Sequence, residues 1–465
     1  MNVSPDTAGP SAVASTAPTQ PTAPTAVSFG EALRFWLKLG FISFGGPAGQ
    51  IAVMHAELVE RRRWISERRF LHALNFCMLL PGPEAQQLAT YIGWLLHRRW
   101  GGIVAGALFV LPSLAILIGL SWVYMRYGSV PVVAGIFYGI KPAVTAIVLH
   151  AAHRIGSRAL KNGWMWTIAA AAFVAIFAFD VPFPLIVGTA AAIGYIGSRL
   201  APDRFAPSGG HGAAVTSFGP ALIDDDTPTP PHALFSRRRL AVVLAAGIGL
   251  WALAMATLVA FHGAQGTLFD MAWFFSKAAM VTFGGAYAVL PYVVQGGVEQ
   301  FQWLSGAQMI DGLALGETTP GPLIMVVAFV AFVGGWVKQV LGDDAIFLGA
   351  ALAACVATFF TFLPSFVFIL AGGPMVEATH GRLGFTAPLT AITAAVVGVI
   401  LNLALFFALH VLWPQGWGGR FDVVSAVIAA AAAVALFRFK AGVMPLLAAC
   451  ALAGLAATFF LPAVP

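Results

Sequence analysis

Residues 70–97 read FLHALNFCMLLPGPEAQQLATYIGWLLH, two apolar helix-forming stretches on either side of Pro81-Gly82-Pro83. Proline cannot donate to the helix ladder and glycine adopts backbone angles that other residues avoid, so the stretch dictates helix, break, helix. The second proline suits the first turn of the new helix. Arginines flank the stretch at both ends, Arg68-Arg69 and Arg98-Arg99, which is awkward for a segment that crosses a bilayer. A re-entrant hairpin keeps both ends on one side. Each arm of about a dozen residues measures roughly 16–18 Å, enough to reach the middle of a ~30 Å hydrocarbon core and return. A kinked full span is the alternative.

The same signals return 239 residues later. Pro81-Gly82-Pro83 recurs as Pro320-Gly321-Pro322, Phe44-Gly45-Gly46 as Phe283-Gly284-Gly285, Trp64 as Trp303, Glu60 as Glu299 and Lys38 as Lys277. Over the 40 positions from Phe44 to Pro83, eleven are identical at that fixed offset, where chance would give roughly three. The chain is two copies of one unit, and what repeats is the irregular part of each copy.

The composition, 59% hydrophobic and 9% charged with mean hydropathy +0.85, belongs to a chain solvated by lipid. The net charge of +6 comes from arginines between apolar segments, where they read as topology anchors, so no nucleic-acid partner is implied. Cys77, Cys355 and Cys450 are scattered, and His55, His72 and His97 share no ligand spacing, so neither a disulfide framework nor a metal site is expected. A membrane enzyme would need CxxC, a haem-ligand pair, HExxH or GxSxG, and none occurs; no cofactor is expected.

Expected spans lie at about 102–125, 131–153, 163–180 and 182–198 in the first copy, and at about 345–371, 384–411, 421–437 and 442–462 in the second. The reading divides the chain into a disordered tail (1–27), a first domain (28–199), a polar linker (200–239), one linking transmembrane helix (240–262) and a second domain (263–465). One extra crossing between equal copies turns the second upside down. The turn after Val59 carries Arg61, Arg62, Arg63, Arg68 and Arg69, whereas its counterpart after Val298 has no Lys or Arg through Gln308, as inversion requires. The expected fold class is an all-α integral membrane protein of two inverted-topology repeats with broken, re-entrant half-helices at the FGG and PGP motifs.

A helix that starts at membrane depth leaves unpaired N–H groups and a partial positive charge, a ready anion site. Gly45, Gly46, Pro81, Gly82, Pro83 and their counterparts Gly284, Gly285, Pro320, Gly321 and Pro322 are therefore candidate substrate-binding residues. Lys38 and Lys277 are candidate counter-charges, the alternative being that they snorkel to the interface. Gln86, Gln87, Thr318 and Thr319 are candidate neutral donors. Glu84 and Glu317 are candidates for substrate contact and for a coupling proton, against capping or ion-pairing roles. Glu60 and Trp64, beside the arginine cluster, are candidates for gating or for anchoring the hairpin.

Phe44-Gly45-Gly46-Pro47, the stretch from Glu60 to Trp64, Leu80-Pro81-Gly82-Pro83-Glu84-Ala85-Gln86-Gln87-Leu88-Ala89 and Gly316-Glu317-Thr318-Thr319-Pro320-Gly321-Pro322 resemble the signature of the chromate transporter (CHR) family, in its long-chain, two-domain form. The resemblance covers about residues 29–462. It implies efflux of chromate across a bacterial inner membrane, conferring chromate resistance; for a dianion, an inside-negative membrane potential or exchange with protons at Glu84 or Glu317 is the expected drive. The alternative substrate is sulfate or another tetrahedral oxyanion, taken up or expelled. A cytoplasmic N-terminus and a homodimer complete these expectations. The chain departs from exact symmetry at its acids: Glu84 aligns with Leu323, and Glu317 with Met78.

Overall fold

A computed structural model describes residues 24, 26–44, 46–205, 218–379 and 386–460. The expected tail, 1–27, lies almost wholly outside the described residues, as does Gly45. The helices in chain order are α1 (Phe29–Ile42), α2 (Gly46–His55), α3 (Glu67–Leu79), α4 (Glu84–Tyr127), α5 (Pro131–Ala159), α6 (Gly163–Phe179), α7 (Phe183–Leu200), α8 (Pro202–Phe205), α9 (Arg237–His262), α10 (Thr267–Val281), α11 (Ala286–Val294), α12 (Gly306–Thr318), α13 (Val326–Val337), α14 (Ile346–Thr379), α15 (Thr386–Leu412), α16 (Val423–Phe437) and α17 (Val443–Phe460). Among the described residues the only β pairing is a single bridge, Ile65 to Ile223.

The protein is an all-α integral membrane protein made of two homologous repeats. Its copies match element for element: α1 to α7 correspond to α10, α11, α12, α13 with α14, α15, α16 and α17, and the short α8 and the long α9 lie between them. The likeness extends to backbone detail. A π-helical turn follows α2 at Ala56–Arg61 and α11 at Gln295–Gln300, and φ is +52° at both Arg63 and Gln302. Helices α4, α5, α7, α9, α14 and α15 are long and apolar enough to cross a bilayer, and α6, α16 and α17 are shorter apolar helices.

Each copy begins with two hairpins of half-helices. In the first, α1 runs to the FGG motif and α2 returns: Arg62, just beyond the π-turn, ion-pairs with Glu31 in the first turn of α1 at 3.5 Å and stacks over Phe35. In the second, α3 runs to the PGP motif and the first arm of α4 returns, so that Arg69 at the start of α3 and Tyr91 share Glu377. The other copy does the same: Trp303, ahead of α12, lies against Gly334 near the end of α13 and against Phe274 and Phe275 of α10. The two arms of each hairpin thus fold back on each other, the geometry that a re-entrant segment requires. Helix α4 then reverses sharply at His97 and Arg98, and Gly93 packs against Gly101 because neither carries a side chain to hold the arms apart. Gly335 against Gly349 and Ala350 is the counterpart.

The two pairs of hairpins are seated differently. Helix α11 packs on α15 and α7, and α12 on α5, α15 and α17, whereas α1, α2 and α3 pack chiefly on α4. Equivalent positions record the difference: Leu71 is 37% exposed where Ile310 is 0%, and Met78 is 50% exposed where Glu317 is 5%. One copy of the same helix is docked on the scaffold of α5–α7 and α15–α17, and the other is not.

Candidate functional site

The four hairpin tips meet at the centre. The Gly82 N–H donates to the Thr282 carbonyl at 2.8 Å, and the Gly321 N–H donates to the Ser43 carbonyl, also at 2.8 Å. Residues 82 and 321, like 43 and 282, are repeat equivalents, so the PGP glycine of each copy grips the FGG tip of the other. The bonds are related by a pseudo-two-fold axis. Glycine is required because φ is +124° at Gly82 and +105° at Gly321. A Cβ there would run into Ser365 and Gln87 in one case and Ser113 in the other.

These bonds occupy the PGP glycine N–H groups with structure, so they are not free to donate to a ligand. Pro83 caps α4, so Glu84, Ala85 and Gln86 open that helix, and the Gln87 N–H closes its first turn on the Pro83 carbonyl at 3.0 Å. Pro322 caps a short 3₁₀ turn, Leu323–Met325, that leads into α13.

Around the crossing lies a shell of buried amides and hydroxyls. The Gln87 side chain donates to the Pro81 carbonyl at 2.8 Å and lies 3.4 Å from Ser365 Oγ. Gln86 donates to Thr90 Oγ1 at 3.0 Å, and Gln50 donates to the Gly321 carbonyl. Ser43 Oγ and the Oε1 atoms of Gln50, Gln86 and Gln87 are buried without a protein partner. Buried polar atoms are normally paired; three of these four are amide oxygens that accept but cannot donate, so they suit water or another donor, and Ser43 Oγ alone could donate to an anion.

The remaining sequence candidates are placed as follows. Glu84 is partly buried behind the first tip, and Glu317 is buried and accepts a hydrogen bond from Tyr287. Thr318 and Thr319 turn their hydroxyls back on their own helix, to the Leu315 carbonyl at 3.1 and 2.6 Å. Lys38 and Lys277 are exposed at equivalent positions on α1 and α10, and Lys277 stacks on Trp273. Trp64 is buried beneath Arg62 and against Phe35, and Glu60 is exposed and bonded to His55 Nδ1 at 3.0 Å. Both belong to the base of the first hairpin. There, burial pushes the Glu57 carboxyl up, but hydrogen bonds and charge from Arg61 and Arg62 outweigh it and hold the group below its ordinary value.

Several residues of this centre escape a scan at one fixed offset. Leu111-Pro112-Ser113 recurs as Leu363-Pro364-Ser365, but at a spacing of 252, because an insertion precedes α14. Each serine faces the PGP glycine of one copy, Ser113 toward Gly321 and Ser365 toward Gly82. Gln50 has Val289 as its counterpart and no repeat signal at all. An ion pair between half-buried Lys141 on α5 and buried Asp311 on α12, at 3.3 Å, is likewise present in only one copy among the described residues.

Duplicated half-helix hairpins whose tips meet inside a bundle of spanning helices define a class, the multi-pass membrane proteins built on internal repeats. The chain belongs to the chromate transporter family, whose pattern matches residues 30–195 and 269–455, one match per repeat. It is 31% identical over 425 residues to a chromate transport protein of Pseudomonas aeruginosa, covering 87% of this chain and 91% of that one. It is 28% identical over 432 residues to a chromate transport protein of Cupriavidus metallidurans, covering 92% of each. An uncharacterized transporter of Bacillus subtilis is 30% identical over 130 residues, which make up 28% of this chain but 66% of the relative. That relative has about the length of one repeat. No solved structure matches.

Proposed function

We propose that this protein exports chromate by alternating access around the crossed hairpin tips. The observation that carries the reading is the pair of reciprocal bonds, Gly82 to Thr282 and Gly321 to Ser43, which bring the starts of α4, α11 and α13 around one point. Backbone N–H groups at the starts of α4, α11 and α13, with the amide N–H groups (not the carbonyl oxygens) of Gln50, Gln86 and Gln87, would hold the oxyanion. Lys38 and Lys277, outside the tips, would supply long-range positive potential for a dianion. Relatives named as chromate transport proteins support the choice of ion.

Orientation follows from charge. Arg61, Arg62, Arg63, Arg68, Arg69, Arg98, Arg99, Arg158, Lys161, Arg199, Arg438 and Lys440 fall at one face when the spans are traced, and Arg126, Lys338 and Arg420 at the other. The first face is cytoplasmic by the positive-inside rule. The undocked hairpins α1–α3 then enter from the cytoplasm and the docked ones from outside. In this reading the conformation is the one open to the cytoplasm, ready to load.

The membrane potential favours the outward direction. One charge moved through 100 mV is worth about 2.3 kcal/mol, so an inside-negative potential of about 150 mV supplies roughly 7 kcal/mol for a dianion. That sustains a gradient of about five decades. The test is radiolabelled chromate flux into everted vesicles, with a potassium gradient setting the potential and sulfate as competitor. Potential-driven chromate uptake that excess sulfate does not block is expected, with weaker flux for the Lys38→Met/Lys277→Met double variant. Full competition by sulfate, or flux confined to right-side-out vesicles, would overturn the assignment.

A further inference from the structure

The ion pair between Lys141 and Asp311 has no place in the tip geometry, and nothing at the equivalent position of the first copy resembles it: His72 stands where Asp311 does. Asp311 is 2% exposed. Its Oδ2 atom takes both partners, Lys141 Nζ at 3.3 Å and the Tyr124 hydroxyl at 2.8 Å. Its Oδ1 atom is buried with no partner. Only the carboxylate is withdrawn from water, with the Lys141 side chain 28% exposed, so Asp311 depends on its two partners to stay charged.

Its location says what. Among the ion pairs of the described residues it is the one that ties a hairpin to the scaffold helices; the others lie within the first hairpin pair or join α3 to α14. It joins α12 to α5, at the contact that is made in the second copy and absent from the first. The same contact holds other charged and titratable groups: buried Glu317 of α12 accepts from the Tyr287 hydroxyl of α11 and feels the charge of Arg154 on α5. Helix α4 brings Tyr124, α5 brings Lys141, α15 brings His410 against Gly306, and α17 brings the thiol Cys450. Helix α13 carries no ionisable side chain.

We infer that Lys141 and Asp311 form a proton-operated latch that holds the external hairpin shut. A proton arriving from outside adds to the free Oδ1 of Asp311, the carboxylate becomes a neutral acid, and the attraction to Lys141 is lost. Helix α12 then leaves α5, taking the exposed position that α3 occupies in this structure, and the tips open outward. Loss of the proton re-forms the pair and closes the hairpin. Coupling of an inward proton to an outward anion follows, and in this respect the inference rests on the transport reading above.

Hairpin opening can be read without any substrate. In a chain whose native cysteines are replaced by alanine, Ala314→Cys lies on the buried face of α12, where its equivalent Asn75 is exposed on α3. Labelling by an impermeant maleimide from outside is normalised to Ser305→Cys, which is exposed at the base of the same hairpin. Relative labelling of Ala314→Cys is expected to rise at least about fivefold as external pH falls from about 8 to about 5.5. It should be high at every pH with Asp311→Asn, and low again at pH about 8 in the charge-swapped Asp311→Lys/Lys141→Asp chain. Labelling that ignores pH, or that stays low with Asp311→Asn while Ser305→Cys still labels, would overturn the latch. A working latch in a chain that moves no chromate would instead refute the substrate assignment and leave the latch standing.

Discussion

Glycines 82, 284 and 321 all have positive φ, yet they differ in what surrounds them. At Gly284 nothing lies within 4 Å of where a Cβ would be, whereas at Gly321 it would meet Ser113 Cβ at 2.7 Å and Oγ at 3.1 Å. Gly284→Ala should therefore cost only backbone strain, about 1 kcal/mol at the low end of the range for such conformations, and Gly321→Ala about 2–3 kcal/mol. Thermal unfolding in detergent should rank the two in that order, and chromate flux should fall further for Gly321→Ala because its N–H bond to Ser43 is displaced. The reverse ranking would show that the crossed tips do not carry the fold. The PGP and FGG glycines were legible in the sequence because Gly beside Pro interrupts an apolar helix wherever it falls. Gln50, Ser113 and Asp311 were not, since a single polar residue on a helix announces nothing until its neighbours are known.

Among the elements, the linker shows most clearly what pattern reading misses. Residues 218–236 are not a free strap: Ile223 and Leu222 donate to the Trp64 and Arg63 carbonyls at 3.0 and 2.9 Å, and Asp225 accepts from Ser66 Oγ at 2.6 Å. His232 completes the docking, its Nε2 bonded to the Trp94 carbonyl at 3.0 Å. Burial first, and then the charges of Arg98 and Arg239, hold this imidazole below its ordinary value of 6.5 despite that bond. The folded state thus prefers the neutral ring. Its contribution is fully present above pH 6.5 and is lost as pH falls through the lower folded value. Amide exchange at Leu222 and Ile223, corrected for intrinsic rates, should speed up between about pH 7.5 and 5, and His232→Gln, which keeps a donor but does not titrate, should flatten that dependence. An unchanged pH profile in His232→Gln would assign the effect elsewhere. The hairpins themselves were half legible: the breaks follow from proline chemistry, but whether the chain re-enters or crosses depends on what the two arms touch.

For the whole molecule, inversion is the property on which alternating access depends. Ser66→Cys and Ser305→Cys, equivalent caps of α3 and α12, should react with an impermeant reagent from opposite sides of the membrane. Reaction from the same side would reject the architecture together with the direction of transport drawn from it. The sequence by itself determined that this protein lives in lipid, that it is one unit used twice, and where each unit breaks, because composition, spacing and the chemistry of proline and glycine are properties of the chain alone. Only the tertiary structure decided that each PGP tip grips the FGG tip of the other copy, that one pair of hairpins is docked while its twin is not, and that Asp311 meets Lys141. Those are matters of distance between segments far apart in the chain. Two half-helices of one repeated unit sit in different environments, and what each meets is set by segments far from it in the chain.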